Sequence, residues 1–589
     1  MKSKPNKNNE SFLGLLGLVK EIFAHIEKKR RRQYGLLMVL TLFGAFAEVL
    51  SLSSIIPFIV ALTNPIGILD YKIIAYLTST LGIKEPSELI IFMTISFIFV
   101  SMLAGITRLI LLRYSIILAN LTGADISIKI FNTTLYQPYE THISRNSSEV
   151  ISNITMKVNM AIVVLTSMVT AISSFILFSV LIITLLIIDP VICVIAFFTF
   201  GISYSVIAAL SKKRLKTNSI KLSESQNEVM KNLQEGMGAI REILLENIQT
   251  IYRNNYASSI VSLKKATSNN AFINQYPKYI LEAVGMILIA SLAAYYSFKN
   301  NGGVINMLPV LGALAYGAQR LLPLMQQFYG NWAYVIGSQA QLQEVNNMLC
   351  QESFTRSSGN GINLDFIKTI TLKNIFFKYQ GEIDEVLKDV NLEIKKGSRI
   401  GITGTTGSGK STLMDIILGL LKPTKGSIIV DGQEINDKNI LSWQRNIAHV
   451  PQNIFLLDAT IEKNIAFSEK QDDIDIDLVR DCAKQAQLHK FINSTSLGYQ
   501  TMVGERGVKL SGGQLQRIGI ARALYKKASI LVFDEATSAL DYKTEEEVMK
   551  SIQALSSDLT IFIVAHRLST IDFCDNVINL ENNSLNKKG

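Results

Sequence analysis

Residues Gly404-Thr405-Thr406-Gly407-Ser408-Gly409-Lys410-Ser411, followed by Thr412, fit the phosphate-binding loop pattern and constrain the fold more than any other stretch. In that pattern glycines let backbone N–H groups close around phosphates, a lysine reaches the β and γ phosphates, and a hydroxyl, here that of Ser411, holds magnesium. The pattern carries meaning only between a strand and a helix. Arg399-Ile400-Gly401-Ile402-Thr403 reads as the buried strand, and Leu413 to Leu421 as the departing helix, whose N-terminal dipole adds to anion attraction. A nucleotide-binding α/β domain that also holds Mg2+ is therefore expected.

The rest of the chain has a different character. Only 18% of the 589 residues are charged, against about 25% in a soluble globular protein, and mean hydropathy is +0.27. Both values point to a membrane. A net charge of +10 would suit nucleic acid, but much of the excess lies in Lys2 to Arg32, just before the first long apolar run. That placement follows the positive-inside rule, so no nucleic-acid partner is expected. The four cysteines, Cys193, Cys350, Cys482 and Cys574, lack metal or disulfide spacing and read as packing residues. Polar first residues, and Lys20 and Glu21 within the apolar stretch from Phe12, argue against a cleavable signal peptide.

Ser11 to Ile26 interleaves apolar residues with Lys20 and Glu21, as in a helix lying in the membrane interface, and Lys28-Lys29-Arg30-Arg31-Arg32 marks the cytoplasmic side. A spanning helix needs about 20 largely apolar residues. Six runs approach this: Tyr34 to Leu62, Glu88 to Arg113, Ala161 to Ile188, Val191 to Leu210, Tyr279 to Phe298 and Val304 to Leu324. Short links follow the third and fifth. By contrast Tyr114 to Met160 and Ser211 to Lys278 are long, charged and helical in pattern, and should extend into the cytoplasm. The expected division is an N-terminal cytoplasmic segment over 1–33, a transmembrane domain over 34–340, a linker over 341–364 and a nucleotide-binding domain over 365–589.

Within that last domain, Ile530-Leu531-Val532-Phe533-Asp534-Glu535 is an apolar strand that delivers two carboxylates at its end, where α/β sheets place their ligands. Asp534 can hold magnesium and Glu535 can orient or activate the attacking water. Leu510-Ser511-Gly512-Gly513-Gln514 precedes a helical stretch, Gln514 to Leu524, and forms a second anion-binding nest.

With these motifs in this order, the chain resembles an ATP-binding cassette (ABC) transporter. The resemblance implies that Ser511, Gly512, Gly513 and Gln514 complete the ATP site of an opposite subunit. It also implies that Tyr379 stacks on adenine and that Gln452 touches magnesium and water. Asp541, in Ser538-Ala539-Leu540-Asp541, would join the two nucleotide sites, and His566 would contact the γ-phosphate. Glu505-Arg506-Gly507 looks like a segment typical of exporters. The implied fold is an all-α membrane domain with six transmembrane helices of exporter type, fused to an α/β P-loop NTPase domain. Since one chain carries one of each, the implied assembly is a homodimer in the bacterial cytoplasmic membrane, with the N-terminus and the ATPase in the cytoplasm.

Charges within the spans mark where cargo could bind, because an ionisable group at depth is costly. Arg320, Glu48 and Arg108 are the candidates, while Arg113 and Glu282 lie near helix ends and can snorkel. Tyr276-Pro277-Lys278-Tyr279-Ile280-Leu281-Glu282 and Gln319-Arg320-Leu321-Leu322-Pro323 look similar to bacterial lipid-linked oligosaccharide flippases. That similarity implies an amphiphilic, lipid-linked substrate, with Arg320 attracting its pyrophosphate. Multidrug, peptide, phospholipid or lipid A export fits the same machinery.

Overall fold

The computed structural model describes residues 12–63, 85–188, 190–299, 308–351, 364–535, 540–553, 558–564, 574–581 and 584–588. The chain divides into two compact units. One joins Met1–Leu135 with Arg145–Ser353, and the other joins Tyr136–Ser144 with Phe354–Gly589.

The first unit is helical: α1 (Phe12–His25), α2 (Lys28–Thr63), α3 (Pro86–Leu135), α5 (Ser147–Ser152), α6 (Val158–Ile188), α7 (Pro190–Gly238), α8 (Ile240–Leu245), α9 (Gln249–Lys299), α10 (Leu308–Gly337) and α11 (Gln339–Leu349), with α4 (Tyr139–Ser144) assigned to the second unit. Six of these are long, matching the six expected spans, and α3, α7 and α9 run on well beyond a membrane thickness, as their charged ends require. By length and composition, Lys28–Ile59, Ser87–Leu135 and Ser147–Ile183 qualify as spans among the described residues. Pro190 opens α7, where its missing N–H is no loss.

Helices α2 and α3 form an antiparallel hairpin in one continuous register. Its rungs are Arg30 Nε to Asp125 Oδ2 (2.8 Å), Tyr34 Oη to Thr122 Oγ1 (3.3 Å), the ion pair Glu48–Arg108, Ser51 Oγ beside Ser101 Oγ (3.5 Å) and the stacked rings of Phe58 and Phe97 (5.1 Å). Below the hairpin, one apolar cluster gathers Ile126 and Ile130 of α3, Val158, Ala161 and Val164 of α6, Ala333 and Ile336 of α10, and Leu342 and Val345 of α11. Leu18 and Ile22 of α1 join this cluster, so the helix read as interfacial buries that face against protein. Helix α11 packs here too, in the stretch from 341 that was expected to begin the linker. Cys350, read as a packing residue, is exposed, whereas Cys482 is buried.

The second unit holds two sheets. Strands β1 (Thr369–Phe377), β2 (Leu387–Lys395), β4 (Lys425–Val430) and β5 (Gln433–Glu434) form an antiparallel sheet in the order β2-β1-β4-β5. Strands β3 (Arg399–Gly404), β6 (Ile447–Val450), β7 (Ile530–Asp534), β8 (Thr560–Val564), β9 (Asn576–Glu581) and β10 (Ser584–Lys588) form the other, in the order β10-β9-β3-β8-β7-β6. All are parallel except β10. Strands β7 and β8 are buried along both faces, which accounts for their unbroken apolar sequences. Their side chains alternate between two cores: Ile530 and Val532 enter one, and Leu531 and Phe533 enter the other. Helix α12 (Lys410–Ile417) packs in the first core through Leu413, Ile416 and Ile417. The helix Gly512–Tyr525, here α13, packs in the second through Ile518, Ile520 and Ala521.

Candidate functional site

Because β3, β8 and β7 run parallel, the loop after β3 and the carboxylates after β7 emerge at the same edge of the sheet, one strand apart. The loop's shape demands glycine. At Gly404 a Cβ would lie 2.5 Å from the Leu580 carbonyl oxygen and 2.7 Å from Ser408 Oγ, and Gly409 caps α12 with φ +92. Thr405, Thr406, Gly407 and Ser411 are exposed, whereas Lys410 and Thr412 are buried. Lys410 Nζ donates to the carbonyls of Gly404 (2.9 Å) and Thr405 (3.0 Å), which keeps its ammonium inside the loop. Buried Ser408 Oγ has no hydrogen-bond partner among the described residues. An ammonium, an orphaned hydroxyl and a ring of backbone N–H groups together suit a polyphosphate.

Asp534 lies across from this loop. Burial and the neighbouring Glu535 raise its pKa, and Lys410 pulls it back. Asp415, on the outgoing turn of α12, is pushed up to about 6 by burial and by Asp534. Carboxylates crowded this way favour a bound cation, so the donor set fits Mg2+ with Ser411. Glu535 adopts φ +50, rare for a residue with a side chain, and its N–H donates to the Val564 carbonyl at 3.1 Å. Gln452 Nε2 donates to Glu535 Oε2 at 2.7 Å. Residues 83 apart in sequence are thereby joined at the end of β7.

Tyr379 is half-buried, edge-on to Phe377 with ring centroids 5.0 Å apart, and its hydroxyl lies 3.0 Å from Thr412 Oγ1. Sequence reasoning missed the helix next to it. Glu140 of α4 accepts the Gln380 N–H at 2.9 Å, and Tyr139 packs on the same core as Tyr379. The stretch around Tyr139 falls within Tyr114 to Met160, read as a helical extension, and nothing in it marks a separate short helix packed beside Tyr379.

Ser511 caps α13, accepting from Gln514 N–H (3.3 Å), while Gln514 Oε1 accepts from Ser511 N–H (2.9 Å). This capping box leaves Ser511 and Gly512 exposed at the end of a 14-residue helix, with Gly513 half-buried beside them. Lying on the opposite face of the sheet from α12, this group is not brought to the loop of its own chain. Asp541 accepts from the Thr544 side chain and, at 3.0 Å, from the Thr544 N–H, and these bonds lower its pKa. His566 and Ser538 lie outside the described residues.

In the helical unit the structure brings two substrate candidates together: Glu48, buried, is ion-paired with Arg108, which is half-exposed. Arg108 borders a cavity of about 600 Å³ between α2, α3, α6 and α10. Leucines from all four helices and polar groups of Thr41, Ser115, Thr170, Ser173 and Gln327 line it. The Arg320 side chain lies outside the described residues. Glu282 and Arg113 are exposed, and Glu282 lies 4.0 Å from Lys278.

The family model for the ABC transporter matches residues 387–538, and that for the ABC transporter transmembrane region matches 34–316. The chain is 31% identical to YgaD of Bacillus subtilis, an ATP-binding/permease protein whose name assigns it to multidrug export, over 67% of each chain. It is 31% identical to the β-(1→2)glucan export protein NdvA of Bartonella bacilliformis over 66% of this chain and 65% of that one. It is 33% identical to the exotoxin translocation protein PaxB of Pasteurella aerogenes over 72% of this chain, spanning 58% of that relative. A solved structure described as a bacterial Atm1-family ABC exporter with ATP bound shares the fold, with a TM-score of 0.76 at 23% identity and 95% coverage of both chains.

Proposed function

The chain belongs to the ABC transporter family, as an exporter-type half-transporter with membrane and ATP-binding domains in one polypeptide, and from that premise we propose an ATP-driven flippase of the bacterial cytoplasmic membrane. Its cargo is an amphiphile, a lipid-linked oligosaccharide or related glycolipid, moved by a homodimer whose N-termini and ATPase domains face the cytoplasm. The observation that carries the cargo assignment is Arg108, held by buried Glu48, on the wall of the apolar, hydroxyl-rich cavity. Leucine walls suit a lipid chain, hydroxyls suit a sugar, and a guanidinium suits pyrophosphate in a bidentate grip. Arg320 is the second proposed contact.

In the proposed cycle the loop Gly404 to Thr412 binds the ATP phosphates through backbone N–H groups and Lys410, with Tyr379 against adenine. Ser411, Gln452 and Asp534 would hold Mg2+, which neutralises charge on the phosphoryl oxygens. Glu535, steadied by Gln452, orients the water and takes its proton, while His566 meets the γ-phosphate. Ser511, Gly512, Gly513 and Gln514 of a second copy close over the nucleotide, with Asp541 at the junction. Closure and reopening of the paired cassettes drive alternating access in the spans.

A second reading, multidrug export, is favoured by the relation to YgaD. The two readings separate in one experiment: ATPase activity of the purified protein in nanodiscs, against polyprenyl-linked glycans, phospholipids and hydrophobic drugs. Stimulation by the glycan carrier supports the flippase. Stimulation by drugs, with none by glycolipid, overturns it in favour of the second reading.

A further inference from the structure

Lys157 is fully buried, at the end of a π-helical turn, Asn153–Lys157, that joins α5 to α6. A buried ammonium persists only with a carboxylate partner, and Glu344 of α11 supplies it. The same carboxylate accepts Ser223 Oγ of α7. One turn earlier on α7, Ser219 Oγ accepts the Ala340 N–H at 2.9 Å and lies 3.4 Å from Gln341 Oε1. Three helices therefore meet at one polar knot. Helix α11 is also the last element of this unit before the chain passes to the ATPase unit.

The seam around the knot is lined with polar groups. Ser152 Oγ and Asn153 Oδ1 on the α5–α6 side, Gln226 Oε1 and Asn227 Oδ1 on α7, and Gln341 Nε2 on α11 are buried without hydrogen-bond partners among the described residues. Ser148 of α5 bonds Gln234 of α7, so α5 and the π turn run antiparallel along α7, past those residues. Buried polar groups of this kind are ordinarily bonded to ordered water, or exchange partners with their neighbours. The π turn supplies a way to shift. It holds one extra residue, and its migration along the helix would rotate the residues it passes, Lys157 among them, by about 100° while the helices on either side keep their register. That is a discrete two-state element rather than a soft one.

We infer that Lys157 is a positioning residue of the transport cycle: paired with Glu344 and Ser223 it locks α11 to α6 and α7, and the π turn releases that lock once per turnover. The inference rests on the exporter reading only in that a transport cycle exists.

The test replaces the pair by apolar residues of similar size, Lys157→Met with Glu344→Leu. Exchanging a buried ion pair for packed hydrophobic residues generally preserves or raises stability. A purely structural staple would then leave a stable and fully coupled transporter. A releasable lock predicts a double variant at least as heat-stable as wild type whose substrate-stimulated increment in ATP hydrolysis falls at least tenfold. Full coupling in that variant overturns the inference. Hydrogen exchange on the wild type is the second measurement, and it needs no variant. Residues 147–160 and 339–349 should lose protection when ATP and vanadate are added, and identical protection in both conditions also overturns the inference. A wild type with no stimulated hydrolysis or transport would instead sink the exporter reading, while the exchange measurement would still judge the lock.

Discussion

Glu535 stands in a backbone conformation that costs about 1 kcal/mol or more for a residue with a Cβ, and the surrounding sheet holds it there. Its N–H is tied to Val564 and its carboxylate to Gln452, so both ends of the residue are fixed before any substrate arrives. The gain is direction: the chain turns out of β7 at once, so adjacent carboxylates at 534 and 535 can serve different partners. Glu535→Gln keeps the size and a polar head but cannot take up a proton. Nucleotide binding, followed by a fluorescent ATP analogue, should be retained, while steady-state hydrolysis falls by about 100-fold or more. Wild-type hydrolysis in that variant would remove Glu535 from the role of base.

Helix contacts impose constraints that no apolar periodicity reports. At Gly123 of α3 a Cβ would fall 2.0 Å from both Cγ1 and Cδ1 of Ile162 on α6, so these helices approach as closely as they do only because the position is bare. Gly123→Ala should lower the unfolding midpoint in detergent, at a cost of about 1–3 kcal/mol, and Gly123→Ala with Ile162→Ala should recover most of it. If the single variant melts with wild type, the close crossing is not what sets the helix spacing. The same limit separates what the sequence told from what it withheld. The strand–loop–helix around Lys410 and the carboxylates after β7 were legible, because phosphate chemistry fixes residue type and spacing together. The pairing of Glu48 with Arg108 was not, since each reads as a lone charge until the α2–α3 register is known. Nor was the docking of α1, because an amphipathic stripe looks the same whether it covers lipid or protein. The helix at 339–349 was lost to a linker expectation for a related reason: Gln341, Glu344 and Asn346 are polar, yet they are buried or paired in a seam that only tertiary structure creates.

On the scale of the whole molecule, the six-stranded sheet keeps the Lys410 loop and the Ser511-capped helix end of one chain apart. The helix that follows Lys410 packs on one face and the helix that Ser511 caps packs on the other, each in its own apolar core. No rotation of a side chain can bring them together, so the ATP of the proposed cycle takes its second wall from another copy. Mixing variants tests this without any knowledge of the cargo. Lys410→Ala disables the loop, and Gly512→Asp sets a carboxylate against the phosphates at the capped helix end. Each variant alone should be nearly inactive. In a mixed dimer, one site combines the damaged loop of one subunit with the damaged helix end of the other, and the second site combines two intact partners. Hydrolysis should therefore reappear in the mixture, measured after differential tagging and two-step purification of the heterodimer. If each chain instead completed its own site, both sites of the mixed dimer would carry one lesion and the activity would stay lost. Recovery in the heterodimer is thus the outcome that the opposed packing requires.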